Sequence, residues 1–386
     1  MYINTGETDW PDNWYSIFDE NDFKSEIKEK YKDIENKNKY PIVLQHGNNP
    51  GLVSHFVKLG IEYIVKNQLK KDKNLKKLIK ENKFNEVAYK LGIKMIHVND
   101  IDLQKVKDEF KDDKLYSTWC IDSFFFEMLS EATVNIGTHE KIDYESECRK
   151  LNLQKGYLEF NKIAVDTKCR TYYPGGKFEG YLVPHEETIT IAKSLEVKDN
   201  ENIIYRPTVL FSYLPCDAAK EYFIKNRLNS YPNPDMNKPL DCEEVNGESI
   251  VRGYRYPNFA EIIYNENIKE GTENVGVLLL GEKFNPVWVG NRIEKSFLYK
   301  DKKSSYWQTP TITPVAMSAL SAVWWMLKNK NKGGIYFPDD INEYKDIIKF
   351  VEKYISKTIY KEFDKEVVEK ELNIDISKLQ LKDLLK

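Results

Sequence analysis

The chain has 386 residues, enough for two domains with separate cores, and 41% hydrophobic against 31% charged side chains fits a water-soluble globular protein. With 58 basic and 61 acidic side chains the net charge is −3, which leaves no electrostatic case for nucleic acid or a membrane surface as principal partner. Five cysteines, odd in number, widely spaced and without a CxxC pair, argue against a disulfide framework or a zinc ribbon and favour a reducing, cytoplasmic compartment.

The opening YINTGE reads as a short strand ending at Gly6, followed by a loop rich in Trp and Asp. No basic region leads into an apolar one here, so no signal peptide is read. Residues 21 to 36 are polar with a helical period. Ile42, Val43 and Leu44 then predict a buried strand that breaks at Gly47 and restarts as a helix, with Asn49 as N-cap and Pro50 at the first helical position. Leu52, Val53, Phe56, Val57, Gly60 and Ile64 give that helix one apolar stripe. A strand turning this sharply into a helix either exposes free backbone N–H groups to a polar or anionic ligand or is an ordinary βα unit of a core. From Lys66 to Lys83 the chain is locally basic, but Asp72 and Glu81 dilute the charge, and a solvated amphipathic helix is expected.

Past Leu91 the texture changes to KMIHV, GYLVPHEETITIA, YRPTVLFSYL, VGVLLLG and PVWVGNRI, separated by turn residues. These runs predict one mixed or antiparallel sheet with flanking helices. AMSALSAVWWML, from Ala316, is shorter than the about 20 residues that span a bilayer, and it reads as a core helix. The tail after Pro338 reads as charged, amphipathic helix. No GxGxxG occurs anywhere; Gly175, Gly176 and Gly180 lie in a polar loop and suit a hairpin turn better than a phosphate cradle.

Two constellations could carry chemistry. His185 and Glu187, read as two apart on a strand with Ile189 and Ile191 following, project from one face toward a core or cleft. Such a pair suits acid–base work or the holding of a cation, unless it is merely two polar residues at a strand end. Trp119, Cys120 and Asp122 precede Phe124, Phe125, Phe126 and Glu127. An indole beside carboxylates is what an ammonium group would use, through cation–π attraction and charge pairing; the other reading is a Phe core with Glu127 on its rim. Asp100 ends a strand, where functional side chains often stand. His46, His55, His97 and His139 show no metal-ligand spacing, so no bound metal is expected. No GxSxG elbow and no Cys–His arrangement marks a nucleophile.

Taken in order, YINTGETDW, HGNNPGLVSHFVK, LGIKMIHVNDIDLQ, STWCIDSFFFE with NIGTHE, GYLVPHEETITIA, YRPTVLFSYLPCDA, NVGVLLLGEKFNPVWVGNRI and PVAMSALSAVWWMLKNKNKGGI resemble bacterial-type homospermidine synthases of the saccharopine-dehydrogenase-like group. The resemblance runs from Met1 to about Asp340 with the order kept. It implies a redox-neutral transfer in which NAD takes a hydride from putrescine, a second amine displaces ammonia from the imine, and the same NADH reduces the product imine to homospermidine. By the same resemblance the diamine site falls on Trp119, Glu127, His185, Glu187, Asn49 and Glu7, with Asp100 where the family usually has Glu. Asn49 and Pro50 fall on the cofactor side.

Putrescine is a dication, because amine pKa values sit at about 10. It calls for carboxylates at matched separation and an aromatic wall, which Glu7, Asp100, Glu127, Glu187 and Trp119 supply, and for a base, for which His185 is the candidate. The expected fold is α/β and α+β: an incomplete Rossmann-like domain remnant (1–68), a mixed-sheet α+β catalytic and dimerisation domain (69–310), and a returning core helix with a helical tail (311–386). The family opens with a GxGxxG βαβ unit, and this chain is read as starting downstream of it. Three readings therefore stand: a synthase, expected as a homodimer, whose nucleotide-binding half comes from a separate polypeptide; a truncated, non-catalytic relative that binds polyamine; and an interaction protein that keeps only the fold. A saccharopine or carboxyspermidine-type dehydrogenase is the catalytic alternative, and it would need an inward arginine such as Arg206 or Arg170 for an extra substrate carboxylate.

Overall fold

The computed structural model describes residues 2–3, 28–29, 32, 40–107, 114–141, 148–228, 236, 240–298 and 308–386. Strands β1 (Tyr2–Ile3) and β2 (Pro41–Val43) lead into helices α1 (Leu52–Asn67), α2 (Lys73–Lys80) and α3 (Phe84–Leu91), and then into β3 (Ile93–Asp102). Helix α4 (Ile121–Leu129) precedes β4 (Glu131–Asn135), β5 (Cys148–Asn152), β6 (Tyr157–Ile163), β7 (Lys168–Tyr173) and β8 (Gly176–Leu182). Next come α5 (Glu187–Ser194), β9 (Thr208–Leu214), α6 (Asp217–Lys225), β10 (Thr272–Gly281) and β11 (Val287–Glu294). The chain closes with α7 (Ile312–Lys328), β12 (Gly334–Tyr336), α8 (Tyr344–Val351), β13 (Ile359–Glu362) and α9 (Lys365–Leu372). The short strand read at the N-terminus is described only at Tyr2 and Ile3. Its end at Gly6 and most of the helix read over 21 to 36 lie outside the described residues.

The mixed sheet runs β13-β11-β10-β3-β9-β4-β6-β5, with β8 also paired to β9 and β7 to β8. Strands β3 and β9 are parallel, Thr208 opposite Met95 through Leu214 opposite Ile101, while β10 is antiparallel to β3. Helices cover one face and the C-terminal segment the other, so the central strands are buried on both sides and read as near-continuous apolar runs. Val98, Val277 and Leu279 join a core with Phe56 and Ile61 of α1 and Phe124 and Phe125 of α4. On the opposite face Leu210, Leu278 and Trp288 pack with Val368, Leu372, Ile376, Leu379 and Leu384. A smaller, wholly parallel sheet, β1-β2-β12, stands beside α7.

Several expectations change here. The tail after Pro338 is not one amphipathic helix: β13 adds an edge strand to the large sheet, and the apolar side chains beyond it close that sheet's far face. GYLVPHEETITIA is a strand only to Leu182; Glu187 opens α5. Pro184 has no amide to continue a ladder, and the backbone N–H and hydroxyl of Thr188 both bond to the His185 carbonyl, which starts the helix. His185 and Glu187 therefore share a loop–helix junction, not a strand face. Helix α2 is the solvated amphipathic helix expected, burying only Leu75 and Leu78 and capped by Asp72, whose side chain accepts from the Leu75 amide at 2.9 Å. Gly175 forms the β7–β8 hairpin turn and Gly176 opens β8, as the loop composition suggested.

The turn before α1 also differs. The helix begins at Leu52 with Gly51 as N-cap, so Asn49 is not the cap and Pro50 is not helical. The Gly47 amide donates to the Pro50 carbonyl at 2.7 Å, and the amides of Leu52, Val53 and Ser54 are taken by the carbonyls of Gly47, Asn48 and Gly51. Gly51 has φ +139°, and a Cβ there would meet the Gly47 oxygen at 1.9 Å, so only glycine closes this turn. The first three amides of α1 are thus bonded within the turn, which favours the ordinary βα unit over a helix tip with free N–H groups, the two readings of this segment.

Candidate functional site

Alternation along three adjacent strands builds the floor of the site. Val98, Asp100 and Asp102 of β3 share one face; β9 sets Phe211 opposite Val98 and Tyr213 opposite Asp100, and β10 sets Glu273 opposite Asp102. The apolar end of this face joins the core, and the acidic end opens into a cavity of about 310 Å³.

Four further segments wall it, one of them the start of α7 with Thr311 and Val315. Thr118 and Trp119 stand before α4: the Thr118 hydroxyl donates to Asp102 Oδ2 at 2.7 Å and Trp119 Nε1 to the Tyr213 hydroxyl at 3.1 Å. Glu127, in the last turns of α4, lines the cavity with 2% exposure, whereas Asp122 stays outside, accepting from the Tyr256 hydroxyl at 3.2 Å. The β8–α5 junction supplies His185, whose ring stacks on Phe211 at 4.1 Å between centroids. From the α1 turn comes Asn49, whose side-chain amide donates to Asp100 Oδ2 at 2.6 Å instead of capping the helix.

Electrostatics follow from placing many acids around one imidazole. His185 Nδ1 is hydrogen-bonded to Glu187 and lies 3.4 Å from Glu186, while Nε2 lies 3.7 Å from Glu127. Burial alone would lower the His185 pKa, but those carboxylates outweigh it and raise it to about 10, keeping the ring an imidazolium. For the acids, burial dominates in the other direction: Glu127 is pushed up to about 8 and Asp102 to about 6. Asp100 is raised, and Glu273 stands well above the carboxylate range through burial and its neighbours Asp102 and Asp100. Near neutral pH Glu127 and Glu273 therefore hold their protons.

Of the residues singled out in the sequence, Trp119, Asp100, Glu127, His185, Asn49 and Pro50 line this one cavity, and Glu187 lies directly behind His185. Glu7 lies outside the described residues. Arg206 is spent on the carbonyls of Ile136, Leu153 and Gln154 and on Glu196, and Arg170 on the carbonyls of Leu372 and Asp383; neither lines the cavity.

Sequence reading passed over Asp102, Glu186, Tyr213, Thr311 and Glu273. Only the strand register could have found Glu273, because TEN precedes the apolar run and falls opposite Asp102. His46 and His55, nine residues apart, also meet, Nε2 to Nε2 at 3.0 Å, with His46 Nδ1 3.0 Å from Ser318 Oγ; burial lowers both, His46 to about 4. The ligand atoms of His185, Glu186 and Glu187 lie within 4.8 Å of one another, a spacing that would admit a metal ion, although Glu187 already occupies the His185 Nδ1.

The saccharopine dehydrogenase C-terminal domain family matches residues 47–356. Homospermidine synthase of Mesorhizobium japonicum is 26% identical over 348 residues, covering 86% of this chain and 64% of the relative. Homospermidine synthase of Blastochloris viridis is 27% identical over 308 residues, covering 77% and 56%. The chain thus spans about three-fifths of the length of these curated relatives. A homospermidine synthase from Legionella pneumophila, solved in complex with NAD, superposes with a TM-score of 0.76 at 24% identity, over 100% of this chain and 77% of that one. That superposition carries the fold, a Rossmann-like part with a C-terminal mixed-sheet domain.

Proposed function

This chain belongs to the saccharopine dehydrogenase C-terminal domain family, and from that premise we propose that it is the diamine-handling part of an enzyme of homospermidine synthase type, acting on putrescine or a related short diamine. One observation carries the reading: four carboxyls (Asp100, Glu127, Glu186 and Glu273) face a single cavity walled by Trp119, and no Lys or Arg is among the described residues lining it. The His185 imidazolium offsets only part of this negative charge, and buried acids in excess of their cations need protons or a cationic ligand. A molecule with an ammonium group at each end supplies two cations, and the indole face tolerates one of them. Family resemblance points the same way, since both curated relatives are homospermidine synthases.

His185 and Glu127 are the proposed acid–base pair. Raised to about 10, His185 rests as an imidazolium and is the acid of the pair; it can take the proton of an alkylammonium only after giving up its own. Glu187 orients the ring through Nδ1 and sustains its basicity, leaving Nε2 toward Glu127 and the cavity. A dication sharing these carboxylates lowers the imidazole's hold on its proton, which can then pass to Glu127. Phe211, stacked beneath the ring, fixes its plane. Residues 69–310 are proposed as the unit that supplies most of this site, with Asn49 and Pro50 before it and Thr311 and Val315 after it completing the lining.

NAD belongs to this reading by family. The described residues do not fit its pyrophosphate: the first amides of α1 are bonded within their own turn, and the sequence has no GxGxxG. No hydride step is therefore derived for this chain, and Asn49 and Pro50 are assigned to the diamine cavity that they line. The saccharopine-type alternative needs a cation for the substrate carboxylate, and neither Arg206 nor Arg170 is free for it.

Calorimetric titration of the chain with putrescine and, separately, with lysine tests the proposal. Putrescine is expected to bind at least about tenfold more tightly, because lysine would bring a carboxylate into a cavity lined by four acids and no Lys or Arg among the described residues. Equal affinity, or binding of lysine alone, overturns it.

A further inference from the structure

Trp119 is half-buried, and its backbone amide donates to Ser117 Oγ at 3.1 Å. Its ring packs edge-to-face with Phe124, 6.2 Å between centroids and 69° between planes. The directional contact is the third: indole Nε1–H donates to the Tyr213 hydroxyl at 3.1 Å. Tyr213 is 5% exposed and stands on β9 opposite Asp100, and Phe124 meets its ring too, at 6.0 Å and 88°. Burial, reinforced by the charges of Asp100, Asp102 and Glu273, holds the phenol proton well above its ordinary range. The indole's acceptor is therefore a neutral hydroxyl at every pH where a diamine is a dication. Strand pairing sets Tyr213 and Asp100 side by side, and neither can drift without breaking the register. Trp119 has no such frame: it precedes α4, and its ring is free to turn about two side-chain torsions unless something holds it. The bond to Tyr213 passes the strand's fixed position on to the indole. The gap between aromatic wall and acids is then set by the sheet.

We propose that Tyr213 is a positioning residue acting through Trp119: it fixes the indole at one distance from the strand acids and so sets the length of diamine the cavity accepts. This rests on the diamine reading above. Each methylene added to or taken from the ligand shifts one ammonium against acids that cannot follow, and a buried charge out of register with its partner is costly. With the indole unpinned the wall adjusts to the ligand, and neighbouring lengths become alike. If Tyr213 only fills space, removing its hydroxyl leaves selectivity unchanged, because phenylalanine fills the same volume.

The experiment is calorimetric titration of the full chain with 1,3-diaminopropane, 1,4-diaminobutane and 1,5-diaminopentane. It is run on the wild type, Tyr213→Phe, Trp119→Phe and the double variant, with a melting temperature for each as the check of folding. The wild type is expected to favour one length over the next best by about tenfold or more. Tyr213→Phe and Trp119→Phe are each expected to bring that ratio below about threefold, since either removes the bond and keeps an aromatic ring. Because phenylalanine at 119 has no N–H to donate, adding Y213F to W119F should leave the ratio unchanged. A length preference that survives in Y213F overturns the proposal. So does one that Y213F lowers equally in both backgrounds, because Tyr213 would then act on the ligand itself. A wild type that binds all three lengths alike overturns the proposal and leaves the diamine reading intact; one that binds none overturns both. If Y213F does not fold, W119F decides, and an undiminished preference there overturns the proposal.

Discussion

Replacing Glu187 with Gln probes the electrostatic heart of the site without changing its size. The His185 imidazolium is sustained by three carboxylates, with Glu187 hydrogen-bonded to Nδ1 and Glu186 and Glu127 at 3.4 and 3.7 Å. Together they overcome burial and lift the ring from 6.5 to about 10. Glu187 is the largest favourable contributor, so its loss should lower the imidazole's pKa, each unit of the fall being worth about 1.4 kcal/mol. Folding strengthens this ring's hold on its proton. The stability it contributes is therefore complete below pH 6.5 and disappears as pH rises through about 10. An NMR titration of labelled histidine reads the ring directly: His185 should stay protonated past pH 9 in the wild type and titrate at clearly lower pH in Glu187→Gln. A wild-type His185 titrating near 6.5, or one indifferent to the substitution, refutes the reasoning.

Trp119→Ala removes the indole wall and its bond to Tyr213, and should weaken putrescine binding by about 1–2 kcal/mol in calorimetry with little change in melting temperature; unchanged affinity counts against the wall. Putrescine affinity should rise between pH 6 and 8.5, as Asp102 (about 6) and Glu127 (about 8) give up protons that compete with the dication; a flat profile contradicts the proton-for-cation exchange. Gly51→Ala drives a methyl into the Gly47 oxygen at a φ that only glycine adopts, and should cost about 2–4 kcal/mol in denaturant unfolding, far more than an alanine on the exposed face of α2. Leu372→Ala, in the segment that closes the sheet's second face, should cost about 2–5 kcal/mol in the same assay while leaving diamine affinity unchanged; a loss under 1 kcal/mol would show that the tail is dispensable.

Legibility in the sequence followed the physics of each element. The central strands were plain because burial on both faces forces near-continuous apolar runs, and YRPTVLFSYL and VGVLLLG end with β9 and β10, but β3 runs four residues past KMIHV to Asp102, so Asp100 lies within the strand and does not end it. GYLVPHEETITIA misled because Thr188, Ile189, Ile191 and Ala192 satisfy a two-residue period and a helical one equally, and Pro184 was the only local sign of the break. Asn49 was misplaced as a cap because its side chain is drawn 2.6 Å from Asp100, a partner 51 residues away. The helical tail was over-read, since closing the sheet's far face demanded a strand and 3-10 turns, which a local charge pattern cannot reveal. Asp100, Trp119, Glu127 and His185 could be nominated by chemistry and resemblance, but their convergence is a product of strand register and of one loop. Glu273 and Asp102 were silent because they are ordinary acids until β10 is laid beside β3.

All of this depends on a diamine seated among the acids of one cavity. A crystal structure of the chain soaked with 1,4-diaminobutane tests it most directly. The account predicts one nitrogen at hydrogen-bond distance from Asp100 or Glu273, the other toward Glu127 and His185, and the carbon chain along Trp119. A diamine found only on the surface, with the cavity filled by water alone, would contradict it.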